Sequence, residues 1–373
     1  MKKHSSFFLT IFLVLSFMYG CTPAPPLPTS TPSPIPLTFT PTATPTQTAT
    51  PTPVFLPLLS ICSDGITLCE GELPTILRGA NVPNLIWADS RWDWGTLGKF
   101  KTDVLLLKGW GANFVIIQFD PERIEDSIYA EKIVKAAEFS RSLGLHVELM
   151  HFTSKLDLAS NDWSITTIPL AIVDIDTTNL TTNVSQHWVE LLSHPGMSER
   201  LSKAVDIFGI FSEPAKRASG QLSFDNAPNI TWSRWRPRAE KACQDIRAII
   251  NREAICSISG IDWGGDIRGL RSDPFQIPSV AAEVHIYQGA EEHISSRANN
   301  WGLFVGKVPI IVGEFGYTNP PRYITELLAD LKMDKISWAA WPGPSILWEE
   351  NDSEPERNSY IAKIVKEELS QHK

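Results

Sequence analysis

Short apolar runs alternate with longer amphipathic stretches along most of the chain. Eight of the runs are rich in Val, Ile and Phe on both faces, which is typical of strands buried in a parallel sheet. The stretches between them have the length and spacing of helices. The predicted strands are Thr75–Val82, Asn113–Phe119, His146–Phe152, Val205–Phe211, Ala254–Gly260, Ala281–Tyr287, Val308–Phe315 and Lys335–Trp341.

Helices are predicted in every connection but one, since the segment near Ile267–Ser272 is too short for a full helix. Eight such repeats in about 300 residues predict an α/β fold, the (β/α)8 TIM barrel. A doubly wound open sheet is the alternative, but Arg78-Gly79-Ala80-Asn81 is not the glycine-rich turn that normally follows its first strand. The predicted helices are Gly98–Gly109, Ala130–Leu143, Val184–Val205 with a break near His194-Pro195-Gly196, Ser233–Asn251, Glu291–Val305, Pro321–Leu331 and Glu354–Leu369.

Two segments of different composition precede the barrel. Residues 1–21 have two lysines, an apolar stretch and then Gly20-Cys21, the layout of a lipoprotein-type signal peptide in which Cys21 becomes lipidated. Simple cleavage and retention as a signal anchor are the alternatives. Residues 22–54 are predicted to be a disordered linker, because 11 of the 32 residues from Thr22 to Pro53 are proline, 13 are Ser or Thr and none is charged. Residues 55–373 form the predicted catalytic domain.

Charge and composition narrow the class of protein. With 42 acidic and 33 basic residues the net charge is −9, which argues against a general nucleic-acid binder. No apolar run of membrane-spanning length follows the leader. We therefore expect an extracellular protein, either secreted or held at the cell surface only by an N-terminal lipid, and acting as a monomer.

Four cysteines remain if Cys21 carries lipid, and four in an exported chain suggest two disulfides. Cys62 and Cys69 are close enough to close a hairpin loop, and residues 61–74 are expected to form a small hairpin at the N-terminal end of the barrel. Cys243 and Cys256 flank a helix and the next strand, so they either pair or remain buried thiols. No cysteine or histidine cluster suggests a metal site, and no cofactor is expected.

Polar side chains stand where several predicted strands end, which is where a TIM barrel builds its active site. Two are carboxylates, Glu213 after the fourth strand and Glu314 after the seventh. A carboxylate pair beside histidines and flat aromatic rings is what glycoside cleavage needs: one carboxyl protonates the leaving oxygen and the other attacks or stabilises the sugar. The accompanying side chains are His151, His285, Tyr287 and Trp341.

Five motifs then resemble the cellulase-type enzymes of glycoside hydrolase family 5, a clan of retaining barrel glycosidases. The resemblance implies that Glu213 is the general acid/base and Glu314 the nucleophile of a double displacement. It also implies that His151, His285 and Tyr287 line the subsite of the cleaved sugar and that Trp341 stacks beneath it. The motifs are Leu77-Arg78-Gly79-Ala80-Asn81, Gly111-Ala112-Asn113-Phe114-Val115, Glu213-Pro214, His285-Ile286-Tyr287 and Val312-Gly313-Glu314-Phe315-Gly316.

Two positions depart from the family pattern. Ser212 stands where the family has an Asn that binds the sugar 2-hydroxyl, and Ile116 stands where it has an Arg that supports the nucleophile. Arg78 is a candidate to replace that cation. The main prediction is a retaining endo-β-glycosidase acting on an extracellular polysaccharide of the β-glucan or mannan type. The alternative is a weak or inactive barrel that serves as a cell-surface carbohydrate-binding protein.

The 13 tryptophans divide into two predicted groups. Trp110, Trp188, Trp301 and Trp338 are expected to be structural. Those in loops after the strands are candidate platforms for stacking sugar rings. Among the latter are Trp232, Trp235 and Trp263, of which Trp263 is counted with the substrate-binding residues.

Overall fold

The computed structural model describes residues 56–86, 96–152, 180–214, 231–261, 264–287, 297–316, 320–341 and 355–372, without the side chains of residues 122, 180–183 and 355–359. The leader, Cys21, the linker of residues 22–54 and Trp263 lie outside the described residues. Within the described part of the chain, no helix is both long and apolar enough to cross a membrane.

Eight parallel strands close into a barrel in chain order, and the last strand pairs back to the first. The predicted TIM barrel is confirmed. Every residue of the last seven of these strands is buried, because one face lines the barrel and the other is covered by helices. The strands are β4 Arg78–Val82, β5 Phe114–Phe119, β6 His146–His151, β7 Ile207–Gly209, β8 Ile255–Ser259, β9 Val280–His285, β10 Ile310–Glu314 and β11 Ser337–Ala340.

Local signals explain where the helices begin and end. Thr96 and Asp126 cap the first two helices by accepting backbone N–H groups, and Gly111 ends the first in a left-handed conformation. The predicted break near Pro195 is present and separates two helices. The helices are α1 Leu97–Trp110, α2 Ser127–Ser142, α3 Leu180–Ser193, α4 Met197–Ala204, α5 Trp232–Ile250, α6 Pro321–Asp334 and α7 Pro355–Ser370.

One predicted helix is wrong over its described part. In place of an α-helix over residues 291–305, the chain forms two 3-10 turns, Arg297–Asn299 and Trp301–Phe304. Asn300 separates them with non-helical backbone angles. Its buried side chain donates to Gly265 O (2.6 Å) and accepts from Ile267 N (3.2 Å). These hydrogen bonds to a distant segment hold Asn300 in a conformation that a continuous α-helix does not allow. Residues 291–296 lie outside the described residues.

A small antiparallel sheet precedes the barrel, as expected. Its strands are β1 Leu59–Ile61, β2 Leu68–Glu70 and β3 Leu73–Thr75, and Cys62 is bonded to Cys69. Leu59 and Leu68 are buried with the residues that fill the barrel interior. The sheet therefore closes the end of the barrel at which the strands begin.

A buried ion pair joins this sheet to the barrel. Asp206, just before β7, accepts from Leu59 N (2.9 Å), Val147 N (2.8 Å) and Arg141 Nη1 (2.6 Å). The other Arg141 terminal nitrogen donates to the carbonyl oxygens of Leu56 and Pro57. This cluster closes the N-terminal end of the strands. A functional site is therefore expected at the opposite, C-terminal end.

Candidate active site

The two predicted carboxylates meet at the C-terminal mouth of the barrel. Glu213 follows β7, and Glu314 is the last residue of β10. One oxygen of each carboxylate and one ring nitrogen of His285 all lie within 4.8 Å of one another. The Glu213 side chain is 23% exposed and that of Glu314 8%. One carboxyl is thus open to an incoming ligand while the other is nearly enclosed.

His285 and Tyr287 hold these carboxylates in place. His285 Nδ1 lies 2.9 Å from Glu213 Oε1 and 3.9 Å from Glu314 Oε2. The Tyr287 hydroxyl donates to Glu314 Oε1 at 2.5 Å. His285 is the last residue of β9 and Tyr287 follows two positions later, so the strand alternation places both on one face. Their bonds fix both carboxylates in one orientation.

Burial raises the pKa of Glu314 to about 8. Repulsion from Glu213 and Glu283 adds to the effect, whereas His285 and the Tyr287 hydroxyl oppose it by favouring the ionised form. The Glu213–Glu314 pair therefore holds a proton near neutral pH. A carboxyl pair that carries one proton is the state from which one member acts as an acid and the other as a nucleophile.

Two glycines make room for the cluster. A Cβ on Gly313 would lie 2.0 Å from Glu283 Oε1, and one on Gly264 would lie 2.8 Å from the His285 ring. The pairing of β10 with β9 shifts register between Val312 and Glu314, which aims Glu314 into the mouth. Asn81 Nδ2 supports the bend by donating to Gly313 O at 2.7 Å.

The remaining predicted side chains lie around this centre. His151 ends β6 but is fully buried, and its Nε2 lies 3.0 Å from His187 Nδ1. Ser212 is 2% exposed, and its hydroxyl has no hydrogen-bond partner among the described residues. Trp341 is half-buried and its ring is stacked on Phe152, with centroids 6.4 Å apart.

The structure corrects two sequence-based expectations near the site. Trp232 and Trp235 are not open platforms, because both are buried on α5 and donate their indole N–H groups to Asp273 O and Ser259 O. Arg78 does not replace the missing cation, since it begins β4, at the far end of the barrel, where it is attracted to Glu368. The four tryptophans expected to be structural are all buried.

Three polar residues near the site were not predicted. His187 contacts His151, while Glu283 and Glu148 lie inside the barrel beneath the mouth. Glu283 had a usable signal, because it stands two residues before His285 and so shares its face of β9. It was not selected from the sequence because it lies within an otherwise apolar strand and not at the end of that strand. Only the barrel closure brings Glu148, on β6, into the same interior.

The spacing of Glu213, His285 and Glu314 would also suit a cation. However, His285 Nδ1 is hydrogen-bonded to Glu213 and Glu314 accepts from Tyr287, so these atoms already serve an acid–base network. We assign no metal to them.

Comparison with known proteins gives one family and one fold. The family model for cellulase (glycosyl hydrolase family 5) matches residues 77–343. A β-glucanase from Saccharophagus degradans is 15% identical, with a TM-score of 0.62 over 88% of this chain and 98% of that one. An endocellulase from the archaeon Pyrococcus horikoshii is 15% identical, with a TM-score of 0.61 over 86% and 99%. No curated protein matches the chain in sequence.

Proposed function

Because the chain belongs to glycosyl hydrolase family 5, the cellulase family, we propose that it is a retaining endo-β-glycosidase that cleaves an extracellular polysaccharide by double displacement. The observation that carries this proposal is the carboxylate pair at the barrel mouth, with one oxygen of each within 4.8 Å. Retaining pairs stand about 5–5.5 Å apart, whereas inverting pairs stand about 6.5–9.5 Å apart to admit a water molecule.

The proposed roles follow from exposure and hydrogen bonding. Glu213 is the more exposed carboxyl and would protonate the leaving oxygen, then activate the water that releases the sugar. Glu314 would pass its proton to Glu213 and attack the anomeric carbon as the carboxylate, with Tyr287 and His285 stabilising this ionised form. Trp341 would supply the flat face beneath the reacting sugar.

We propose a β-glucan as the substrate class. A crystal structure of the Saccharophagus degradans β-glucanase holds cellotetraose, and its fold superposes on this chain with a TM-score of 0.63. The leader of residues 1–21, lipidated at Cys21, and the tether of residues 22–54 would hold the enzyme outside the cell. That placement suits a substrate too large to enter.

The first test is the release of reducing sugar from β-glucans, mannans and xylans by the purified full chain. We expect turnover of a β-glucan that Glu314→Gln abolishes while affinity for the polysaccharide is kept. Binding without turnover by the parent chain would instead support the carbohydrate-binding alternative, for which the solitary Ser212 hydroxyl is the motivating observation.

The second test separates the two carboxylates by the configuration of the product. Proton NMR of the first product should show the retained β-anomer. Azide supplied to Glu314→Gly should attack in place of the lost carboxylate and give an inverted glycosyl azide. In Glu213→Gly it should intercept the glycosyl-enzyme and give a retained azide. The same azide product from both variants would refute the assigned roles.

A further inference from the structure

Two carboxyl groups lie inside the barrel below the proposed catalytic pair. Glu283 on β9 is 1% exposed and Glu148 on β6 is fully buried. Glu148 accepts from the Ser257 hydroxyl, and Glu283 Oε2 accepts from the Ser259 hydroxyl at 2.9 Å. An unpaired buried charge is costly, so each carboxyl must be either neutral or paired.

Glu283 is paired with His285. Its Oε1 lies 3.2 Å from His285 Nε2, in the space left by the missing side chain of Gly313. The other ring nitrogen, Nδ1, faces Glu213 at 2.9 Å. The imidazole therefore has a carboxylate at each nitrogen, one beneath it and one above it.

This arrangement determines the proton count. An ionised carboxylate can only accept hydrogen bonds, so a ring nitrogen facing one must carry a proton. The Ser259 hydroxyl donates to Glu283 Oε2, which leaves Oε1 as the acceptor that faces the ring. With the proton of the Glu213–Glu314 pair on Glu314, whose pKa is about 8, Glu213 faces Nδ1 as an acceptor. Both ring nitrogens then require a proton, and His285 is an imidazolium in the free enzyme.

We propose that Glu283 is a positioning residue for the reaction: from beneath, its carboxylate keeps His285 doubly protonated, so that His285 supplies the positive charge beside Glu213 and Glu314. The apolar Ile116 packs in the barrel interior and supplies no charge from β5. Because the cation is built on a histidine, its charge depends on its buried partner.

The titratable groups that face His285 are all carboxyl groups, and each favours the protonated ring when it is ionised. They are Glu213, Glu314, Glu283 and, farther away, Glu148. Burial alone would lower the pKa of His285, but Glu314, Glu213 and Glu283 together raise it well above its ordinary value. For Glu148, burial and repulsion from Glu283 raise the pKa well above its ordinary value, which disfavours a charge on this carboxyl.

The direct experiment is NMR of the full chain with 15N-labelled histidine rings, with His285→Asn used to assign the signals. We expect both His285 ring nitrogens to be protonated at about pH 7. In Glu283→Gln the ring should lose one proton at that pH, because a neutral amide can donate to Nε2. A single neutral tautomer in the parent chain would overturn the proposal without any need for a variant. So would two protonated nitrogens in Glu283→Gln.

The kinetic experiment rests on the proposed function, whereas the NMR experiment does not, so their failures can be told apart. In Glu283→Gln the loss of the nearby imidazolium should raise the pKa of Glu314, and this effect outweighs the lost repulsion from Glu283, which is the smaller of the two. The acidic limb of kcat/KM should then move up by about one pH unit. Glu148→Gln is the matched control, a second buried carboxyl replaced by its neutral isostere. It should leave that limb unmoved, and an equal displacement in both variants would indicate a merely structural role.

Discussion

Replacing Glu314 with Gln should stabilise the folded protein, and the gain should increase with pH. Glu314 is enclosed by the barrel mouth, so its charged form loses hydration there that it keeps in the unfolded chain. Gln has nearly the same shape and can still accept from the Tyr287 hydroxyl. The substitution therefore removes the cost of a buried charge with little change in packing, at the expense of the proposed nucleophile.

The size of the gain follows from the displaced pKa. The pKa of Glu314 is about 8 in the folded protein against an ordinary value of 4.5. Since folding favours the protonated carboxyl, its contribution to stability is complete below about pH 4.5 and is lost as the pH rises through about 8. At about 1.4 kcal/mol per pKa unit, the loss is about 1 kcal/mol near pH 5, about 3 near pH 7 and at most about 5 near pH 9.

Urea unfolding at those three pH values measures the prediction directly. We expect the free-energy difference between Glu314→Gln and the parent chain to grow by about 4 kcal/mol across this range. In a thermal scan, about 2.1 cal/mol/K of unfolding entropy per residue makes each kcal/mol worth about 1.5 °C in Tm. Glu72→Gln is the control, because Glu72 is an exposed glutamate on the small N-terminal sheet, outside the barrel mouth.

The expected growth is an upper value, because Glu314 also helps to hold the His285 proton. A gain that stays constant with pH would mean that Glu314 has the same pKa in both states. A loss of stability that deepens at high pH would mean that the carboxylate is favoured by its surroundings. Either result would refute the raised pKa of Glu314. It would also refute the inference that the Glu213–Glu314 pair holds a proton near neutral pH.

Three further predictions concern other parts of the chain. Ser212→Asn should raise kcat/KM by up to about 100-fold with little change in KM, as a contact made mainly in the transition state would; lower activity would mean a pocket built around the smaller side chain. Arg141→Met should cost about 3–5 kcal/mol in urea unfolding by removing the guanidinium that pairs with the buried Asp206, and a cost below about 1 kcal/mol would refute the anchoring role. Replacing Cys243 and Cys256, which are disulfide-bonded across 13 residues, with Ala should cost about 3 kcal/mol by the same measurement; unchanged stability would contradict it.

The sequence alone was enough to predict the fold, because each strand is a local apolar run and each connection a local helical pattern. Eight such repeats have few solutions other than a closed barrel. The same logic predicts which polar residues reach the mouth, since the C-terminal ends of all eight strands share one face. Glu213, His285, Tyr287 and Glu314 were found in this way, and the structure brings them into contact.

Tertiary structure decided what surrounds those residues and what charge they carry. Glu148 and Glu283 lie 135 positions apart in the chain, on strands that do not pair, yet closure puts both in one interior. Hydrogen bonds from Asn300 to the connection after β8 likewise hold two 3-10 turns where a helix was predicted. Local patterns record the propensity and the side-chain face of each residue. Burial and charge pairing depend on distances between segments remote in sequence, and the pKa of Glu314 and the proton on His285 depend on those distances.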